Sequence, residues 1–499
     1  MSRYPVGIDF GTTNSMIAVF KEKGVIEVIS SDSGKRYLPS VIYFKNKKEA
    51  VTGDNAKSMQ LLESQNTIAN VKRYMGTDKK FEIHGKKYSA VELAALFFKK
   101  LKNLHRDYTG EDEAQAVITV PAYFDHMQRE AVRSAAESAG FDVMTLLNEP
   151  TAAALYYNNI GKKENELCLV FDLGGGTLDI SLIELNKNCL RVIATGGSTE
   201  IGGVDFDVAV ADYLNDEFHK LHGIDLKTDP IAYQQLMFQA EKAKMELSAL
   251  NETNIVIPYI TITPKGPLHF KKELDKALFN RITEPIINKI KQITEDILTQ
   301  NGLKPEDISR VLPVGGASRI CNVRAFVESM FKSSVSKDLN PEEAVVCGAA
   351  VNAGMRAGLL KDRQFFDVTS HNLGLEDDNG NFEIILEKNE PYPVSFTSRF
   401  VTTDSSLKAV TVHVLQDMAK SSLNVSDNLG NNPDYFISLA KFDFQVENEE
   451  DESLIDIEFN IDGSGIVKVV AKDVNSGRQN DFTLKSEFTS DIIDNVKIY

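Results

Sequence analysis

The sequence predicts an α/β domain of two similar lobes followed by an all-β domain. Three observations carry that prediction. A strand–turn–strand unit with an aspartate and a glycine at its turn occurs twice, at residues 6–20 and 169–183. Apolar strands alternate with helical patterns as far as about residue 357. From Val368 onward, strict apolar–polar alternation replaces helical periodicity.

In the first unit Asp9 closes a strand, and Gly11, Thr12, Thr13 and Asn14 form the tip. In the second, Asp172 stands before Gly174, Gly175, Gly176 and Thr177, and Asp179 follows. Glycines remove every Cβ, so the backbone can approach a ligand closely and aim N–H groups at an anion. Carboxylates beside such a cradle suit the hydrated divalent cation that accompanies phosphate. The repeat points to two lobes, each offering one phosphate loop to a shared cleft.

In chain order, residues 1–44 read as strands with a turn at 34–39. Polar loops and a helix over 90–106 follow; Lys72 falls among them and reads locally as a solvated lysine. A strand at 116–120 stops at Pro121, and a helix over 128–139 ends at Gly140. Pro150 suits a first helical turn, where Glu149 reads locally as a cap. The glycine-dense stretch 196–207, with Gly202 and Gly203, reads as a loop leading into a helix over 208–221. A helix over 231–250 puts Glu241, Lys244 and Ser248 on one face. Strands near 255–262 and a helix over 279–300 come next. A strand ending at Gly315 and Gly316 then opens a helix by Ser318 and Arg319, another place for backbone N–H groups to meet a ligand. A helix over 344–357 precedes a polar-aromatic link at 361–367. Strands near 382–386, 409–415, 454–461 and 466–470, with turns at 427–430, 462–465 and 475–477, read as a β-sandwich. The last dozen residues read as the first turns of a helix.

The formal charge of −17 argues against nucleic acid as a partner. Cys168, Cys189, Cys321 and Cys347 are scattered without metal-ligand spacing and read as reduced thiols of a cytoplasmic protein. No apolar run approaches the length of a membrane span.

Several long motifs occur in order: Ile-Asp-Phe-Gly-Thr-Thr-Asn-Ser, Val-Pro-Ala-Tyr-Phe, Asn-Glu-Pro-Thr-Ala-Ala-Ala, Asp-Leu-Gly-Gly-Gly-Thr, Gly-Gly-Val-Asp-Phe-Asp and Glu-Lys-Ala-Lys-Met-Glu-Leu-Ser. With them the chain resembles the DnaK-type molecular chaperones, the heat-shock-protein-70 family, over nearly its whole length. The resemblance implies an actin-like ATPase domain of duplicated ribonuclease-H-like folds at 1–361. It further implies an interdomain linker at 362–367, a peptide-binding β-sandwich at 368–486, and at 487–499 the start of a helical lid. By that similarity Thr12, Thr13, Gly174, Gly175 and Gly176 would hold the phosphates of ATP or ADP, and Glu241, Lys244, Ser248, Gly315, Gly316 and Arg319 the adenosine. Gly11, Asn14, Gly202, Gly203 and Ser318 would also bind the nucleotide. Asp9 and Asp172 would order magnesium waters, Asp179 would help hold potassium, and Lys72, Glu149, Asp172 and Thr177 would act in hydrolysis. Pro121, Arg129 and Asp367 would relay between domains. Leu375, Phe400, Val410, Val412 and Ile455 would form a pocket for an apolar side chain of an extended polypeptide, beneath an arch at Asp378 and Thr403.

The chain departs from the family pattern at the linker, where it reads Arg363-Gln-Phe-Phe-Asp367, and at the polar arch residues. Thr145 stands where the family carries an arginine for J-domain contact, which weighs against a standard J-domain co-chaperone. A monomer served by a nucleotide exchange factor is the expected state. The duplicated loops alone also permit a small-molecule kinase, and the altered linker and arch permit a low-turnover nucleotide-sensing partner.

Overall fold

The computed structural model describes residues 4–161, 165–186, 189–360, 364–377, 379–402, 409–418, 435–445, 453–483 and 495–499. Two sheets carry the predicted duplication. In the first lobe the strands Asp142–Asn148, Gln115–Val120, Val6–Asp9, Asn14–Phe20 and Ile26–Val28 lie side by side, and Leu38–Pro39 pairs with Asn14–Phe20. In the second the order is Arg310–Val314, Glu166–Leu173, Leu178–Leu185, Cys189–Ser198, Gln364–Val368 and Pro391–Tyr392. Each aspartate-bearing strand has a parallel neighbour on one side and its antiparallel hairpin partner on the other. Asp9 and Asp172 therefore emerge at equivalent edges.

Two helices, Glu149–Ile160 and Ala344–Arg356, are buried between the two sheets. They share a core with Val117 and Leu147 of the first lobe and with Cys168, Val170 and Ile183 of the second. Their crossing brings backbone to backbone. A Cβ on Gly348 would stand 1.7 Å from the Ala152 carbonyl oxygen, and where Ala344–Arg356 passes the strand Val6–Asp9 a Cβ on Gly7 would stand 2.1 Å from the Ala350 nitrogen. Glycine is the residue that permits this approach.

The helices form where capping chemistry and apolar spacing agree. Ala90–Thr109 opens with a capping box between Ser89 and Glu92 and ends at Gly110, φ 76°. His126–Ser138 opens with a box between Asp125 and Gln128, two residues earlier than the sequence spacing suggests. The 196–207 stretch differs from its expectation. Gly196 and Gly197 belong to the strand Cys189–Ser198, and the helix starts at Gly203. A Cβ on Gly197 would lie 2.2 Å from the Leu178 carbonyl oxygen, so this glycine serves close strand pairing.

The alternating segments form two four-stranded sheets. One orders Phe382–Leu386, Leu373–Glu376, Ala409–Asp417 and Phe436–Gln445; the other orders Val394–Thr402, Ser453–Ile461, Val467–Asp473 and Gln479–Thr483. Their inner faces share one apolar core.

Of the stretch 362–367, expected as interdomain linker, the described part is extended: Gln364–Val368 is a strand that pairs in parallel with Cys189–Ser198. The aromatic run is extended, its edge groups complete the second lobe's sheet, and Phe365 packs against the helix core. The chain end was expected to begin a helix. Instead Lys497–Ile498 pairs in parallel with the strand Glu49–Thr52 of the first lobe. Val496 and Ile498 alternate into that lobe's core, at 2% and 7% exposure, and this period-2 burial selects a strand. Ordering five residues costs about 1–2 kcal/mol each. Two buried aliphatic side chains return about 1.5–3 kcal/mol each, and each backbone hydrogen bond about 1. The tail is held near balance.

Candidate functional site

The two hairpin turns face each other across the interlobe cleft. A Cβ on Gly175 would meet Thr13 at 2.6 Å, and one on Gly176 would meet the Thr12 hydroxyl at 2.5 Å. The second-lobe loop is fixed from below: Gly174 N–H donates to the Thr177 carbonyl at 3.0 Å, Gly203 N–H to Gly174 at 2.9 Å, and Val204 N–H to Gly175 at 2.9 Å. A Cβ on Gly202 would lie 2.5 Å from Gly176 N, so no larger residue fits beneath the loop.

A cavity of about 280 Å³ opens there. Of the residues singled out from sequence, Asp9, Gly11, Thr12, Thr13, Asn14, Lys72, Glu149, Asp172, Gly174, Gly175, Thr177, Gly203, Glu241, Lys244, Ser248, Gly315 and Gly316 line it. Gly176, Asp179, Gly202, Ser318 and Arg319 are not part of that lining. Asp179 is fully buried and accepts a hydrogen bond from Tyr123 N–H at 3.0 Å. The Ser318 hydroxyl donates to the Gly315 carbonyl at 2.7 Å, and Arg319 lies against Asn340 and Glu342.

Lys72 and Glu149 invert their local readings. Both are buried, and the Lys72 ammonium lies 2.5 Å from the Glu149 carboxylate. They come from a short 3₁₀ turn, Val71–Tyr74, and from the start of a helix, 77 positions apart. The ammonium also lies 5.8 Å from the Phe124 ring centre.

Negative charge crowds this pocket. Burial, then the Glu149 carboxylate, pushes the Asp9 carboxyl up to about 7, and the same causes push Asp179 up to about 7. Burial, with Glu149, Asp179 and Asp9, raises Asp172 well above the carboxylate range. Lys72 opposes these shifts without cancelling them. Asp172 Oδ2 and Asp179 Oδ2 are buried without a hydrogen-bond partner among the described residues. Buried acceptors of this kind cost free energy unless a cation or its waters meet them. Asp9 and Asp172 at the wall, with Asp179 buried outside the lining, suit the waters of a hydrated divalent cation, although among the described residues no three such side chains converge as direct ligands.

Sequence reasoning missed four neighbours. Arg73 bridges the lobes by pairing with Asp205 and donating to the Gly176 carbonyl at 3.0 Å. Lys57 reaches across the cleft mouth to Glu241 at 2.7 Å. Asp207 holds Lys244 at 2.8 Å, and Tyr123 holds Asp179. Each acts through a distant chain segment, so no local spacing announces it. Asp207 is visible only as part of the Gly-Gly-Val-Asp-Phe-Asp motif.

Behind the site lies the contact with the sandwich. Pro121 closes the strand Gln115–Val120 and opens the turn that carries Tyr123. Arg129 is buried and donates to the Phe124 and Ala122 carbonyls, to Asn148 Oδ1 at 2.7 Å, and to the Ser464 carbonyl at 3.4 Å. Asp367 accepts from the Thr151 hydroxyl at 2.7 Å. Thr145 is covered by the sandwich loop, its hydroxyl 2.9 Å from Ser464 Oγ. Leu375, Val412 and Ile455 are buried in the sandwich core, with Phe400 and Val410 half-buried against it. Asp378 and Thr403 lie outside the described residues.

A family model described as Hsp70 protein matches residues 5–83 and 77–496. Chaperone protein DnaK of Thermosipho melanesiensis is 40% identical over 506 aligned positions, covering 99% of this chain and 83% of that protein. The DnaK of Thermosipho africanus is 40% identical over 480 positions, and that of Thermotoga petrophila 39% over 481, each covering 95% of this chain and 79% of the relative. The chain belongs to the DnaK-type Hsp70 family. It is accordingly an ATP-hydrolysing chaperone, and ATP or ADP with magnesium and unfolded polypeptide are the family's ligands.

Proposed function

We propose that this chain binds ATP in the interlobe cleft and hydrolyses it to set how long an extended apolar peptide stays on the sandwich. The cluster of Asp9, Asp172 and Asp179 with two orphaned oxygens, facing the Lys72–Glu149 pair between apposed glycine loops, carries the reading. Magnesium, held through water by Asp9 and Asp172, would supply neutralising charge at the phosphates, and Asp179 with the Thr177 side would suit a potassium ion. The loop N–H groups and the Thr12, Thr13 and Thr177 hydroxyls fix the phosphates. Lys72 and Glu149 orient a water for in-line attack, so catalysis is positioning and charge stabilisation. Glu241, Lys244 and Ser248 close over the adenosine, with Gly315 and Gly316 opposite. The ATPase domain spans 1–361 and the peptide domain 368–486, coupled through Pro121, Arg129 and Asp367.

Leu375, Phe400, Val410, Val412 and Ile455 would receive the peptide's apolar side chain, and edge-strand backbone would pair with the peptide. An exchange factor has a surface to grip at the hairpin Glu252–Thr263/Gly266–Asp275, where Tyr259 and Ile262 are exposed. A J-domain co-chaperone of the usual kind would find Thr145 covered by the docked sandwich. On this reading the chain is a monomer in the cytoplasm, a compartment in which four free cysteines are ordinary. The test is release of a fluorescent apolar peptide from the full chain. Release should be faster with ATP than with ADP, by a factor in the roughly 5–150-fold range of allosteric coupling. Equal rates would refute the coupling.

A further inference from the structure

The sandwich is joined to the ATPase lobes by strand addition at both of its ends. Its entry strand Gln364–Val368 extends the second lobe's sheet, with Cys189 opposite Gln364 and Arg191 opposite Phe366. Its exit, Lys497–Ile498, extends a first-lobe sheet, with Glu49 opposite Lys497 and Ala50 opposite Ile498. We propose that the tail Asn495–Tyr499 is a detachable clasp. The outer edge of Glu49–Thr52 is a strand-acceptor site, the tail is its occupant, and stripping the tail is a step in freeing the sandwich from the first lobe.

The contact has the chemistry of β-augmentation, in which backbone pairing gives affinity and alternate side chains give specificity. Lys497 N–H donates to the Lys48 carbonyl at 2.8 Å, Tyr499 N–H to Ala50 at 3.0 Å, and Thr52 N–H to the Tyr499 carbonyl at 3.3 Å. Val496 and Ile498 enter the first-lobe core. Lys497 points outward, opposite Glu49. The ammonium groups of Lys45 and Lys497 lie 5.5 and 4.6 Å from the Tyr499 ring centre. Without the tail, Glu49–Thr52 is an open sheet edge, paired only with Val41–Asn46. Two side chains and three backbone bonds make a hold that can open and close.

Position gives the clasp its consequence. Residues 484–494 are all that separate the last sandwich strand from the tail. Eleven residues span at most about 40 Å when fully extended, so a held clasp keeps the sandwich within that reach of the first lobe and favours its redocking by effective concentration. Because the entry strand belongs to the second lobe, any shift between lobes is felt at both ends of the sandwich. The link to peptide release rests on the coupled reading above.

Two backbone amides report the two events separately in full-length protein. Thr52 N–H reads the clasp, and Val467 N–H, which donates to His126 Nδ1 at 3.1 Å, reads docking of the sandwich. In Val496→Asp/Ile498→Asp both amides should lose hydrogen-exchange protection, Val467 by about tenfold as docking loosens. Lys497→Ala should keep both protected. Loss at Thr52 with Val467 unchanged would overturn the clasp's role in docking. A cross-link guards against misfolding of the double variant. Glu49→Cys/Lys497→Cys, with Cys189 and Cys321 changed to serine, should oxidise to an intramolecular disulfide and raise Val467 protection. With that bond closed the ATP/ADP ratio of peptide release should fall severalfold, and reduction should restore it. Disulfide-linked dimers, or no disulfide at all, would defeat a clasp within one chain. Nucleotide-independent peptide release in the reduced chain, with the Val467 response intact, would count against the functional reading and leave the clasp standing.

Discussion

Lys72 and Glu149 show how a residue's role is made by its partner. Apart, they are a lysine in a polar stretch and a helix-start carboxylate. Together they form a buried pair at 2.5 Å on the wall of the cleft. Removing one partner of such a pair strands the other charge in a dry site. Lys72→Met should therefore lower unfolding free energy by about 3–5 kcal/mol in urea titrations. Lys72→Met/Glu149→Gln should recover most of that loss, because the remaining amide is neutral. ATP turnover in the double variant should stay down by about 10²–10³-fold. Recovery of turnover together with stability would make the pair scaffolding and not part of the hydrolytic machinery.

At the scale of elements, the crossing of Glu149–Ile160 with Ala344–Arg356 is set by one missing methyl group. The Cβ of alanine at 348 would collide with the Ala152 carbonyl, and backbone, unlike a side chain, has no rotamer in which to retreat. Gly348→Ala should cost about 1–3 kcal/mol, read as a lower thermal midpoint. Gly196→Ala, where the new methyl would meet the Ile297 side chain at 3.5 Å, an ordinary contact, should cost less. Equal losses would mean that the close crossing at Gly348 does not set the cost. Elements were largely legible from sequence where capping chemistry and periodicity coincide, as at Ala90–Thr109 with Ser89 and Glu92. They were misread where a neighbour decides. Gly196 and Gly197 look like a loop until the strand Leu178–Leu185 is laid beside them. The run Gln364–Val368 gives no strand signal of its own until the second lobe offers it a sheet edge.

The whole molecule is a docked assembly, and its joint carries a titratable group. His371 of the sandwich packs on the Tyr123 ring, with centres 4.8 Å apart, and its Nδ1 lies 2.8 Å from Ser370 Oγ. Burial pushes this imidazole down to about 3, and the nearby Arg129 and Lys388 cations add to the push. His126, Arg129 and Tyr392 face it across a small gap at the joint. Above pH 6.5, the ring's ordinary value, it is neutral whether docked or free and docking is indifferent to pH. Below 6.5 the free sandwich binds a proton that the docked one refuses, so docking weakens by up to about tenfold per pH unit. Asp367 and Asp417, whose carboxyls burial raises, work in the opposite sense, between their raised docked values and the ordinary 3.8. Exchange protection at Val467 should therefore fall between pH 6.5 and 5.5. His371→Leu should flatten that dependence, and an unchanged slope in this variant would assign the proton elsewhere.

The sequence by itself determined the α/β and all-β division and the duplicated glycine loops, because each is written in short motifs and local periodicity, and its family resemblance named most of the residues that line the cleft. Glycine spacing and the Asp-x-Gly repeats are local facts that survive without knowledge of the fold. Tertiary structure alone decided what Lys72 faces, that Arg73 and Lys57 bridge the lobes, and that Thr145 lies beneath the sandwich. It also decided that both ends of the sandwich become strands of the lobes. These are contacts between segments tens to hundreds of residues apart. Burial, charge pairing and open sheet edges choose them, and none of the three exists until the chain has packed.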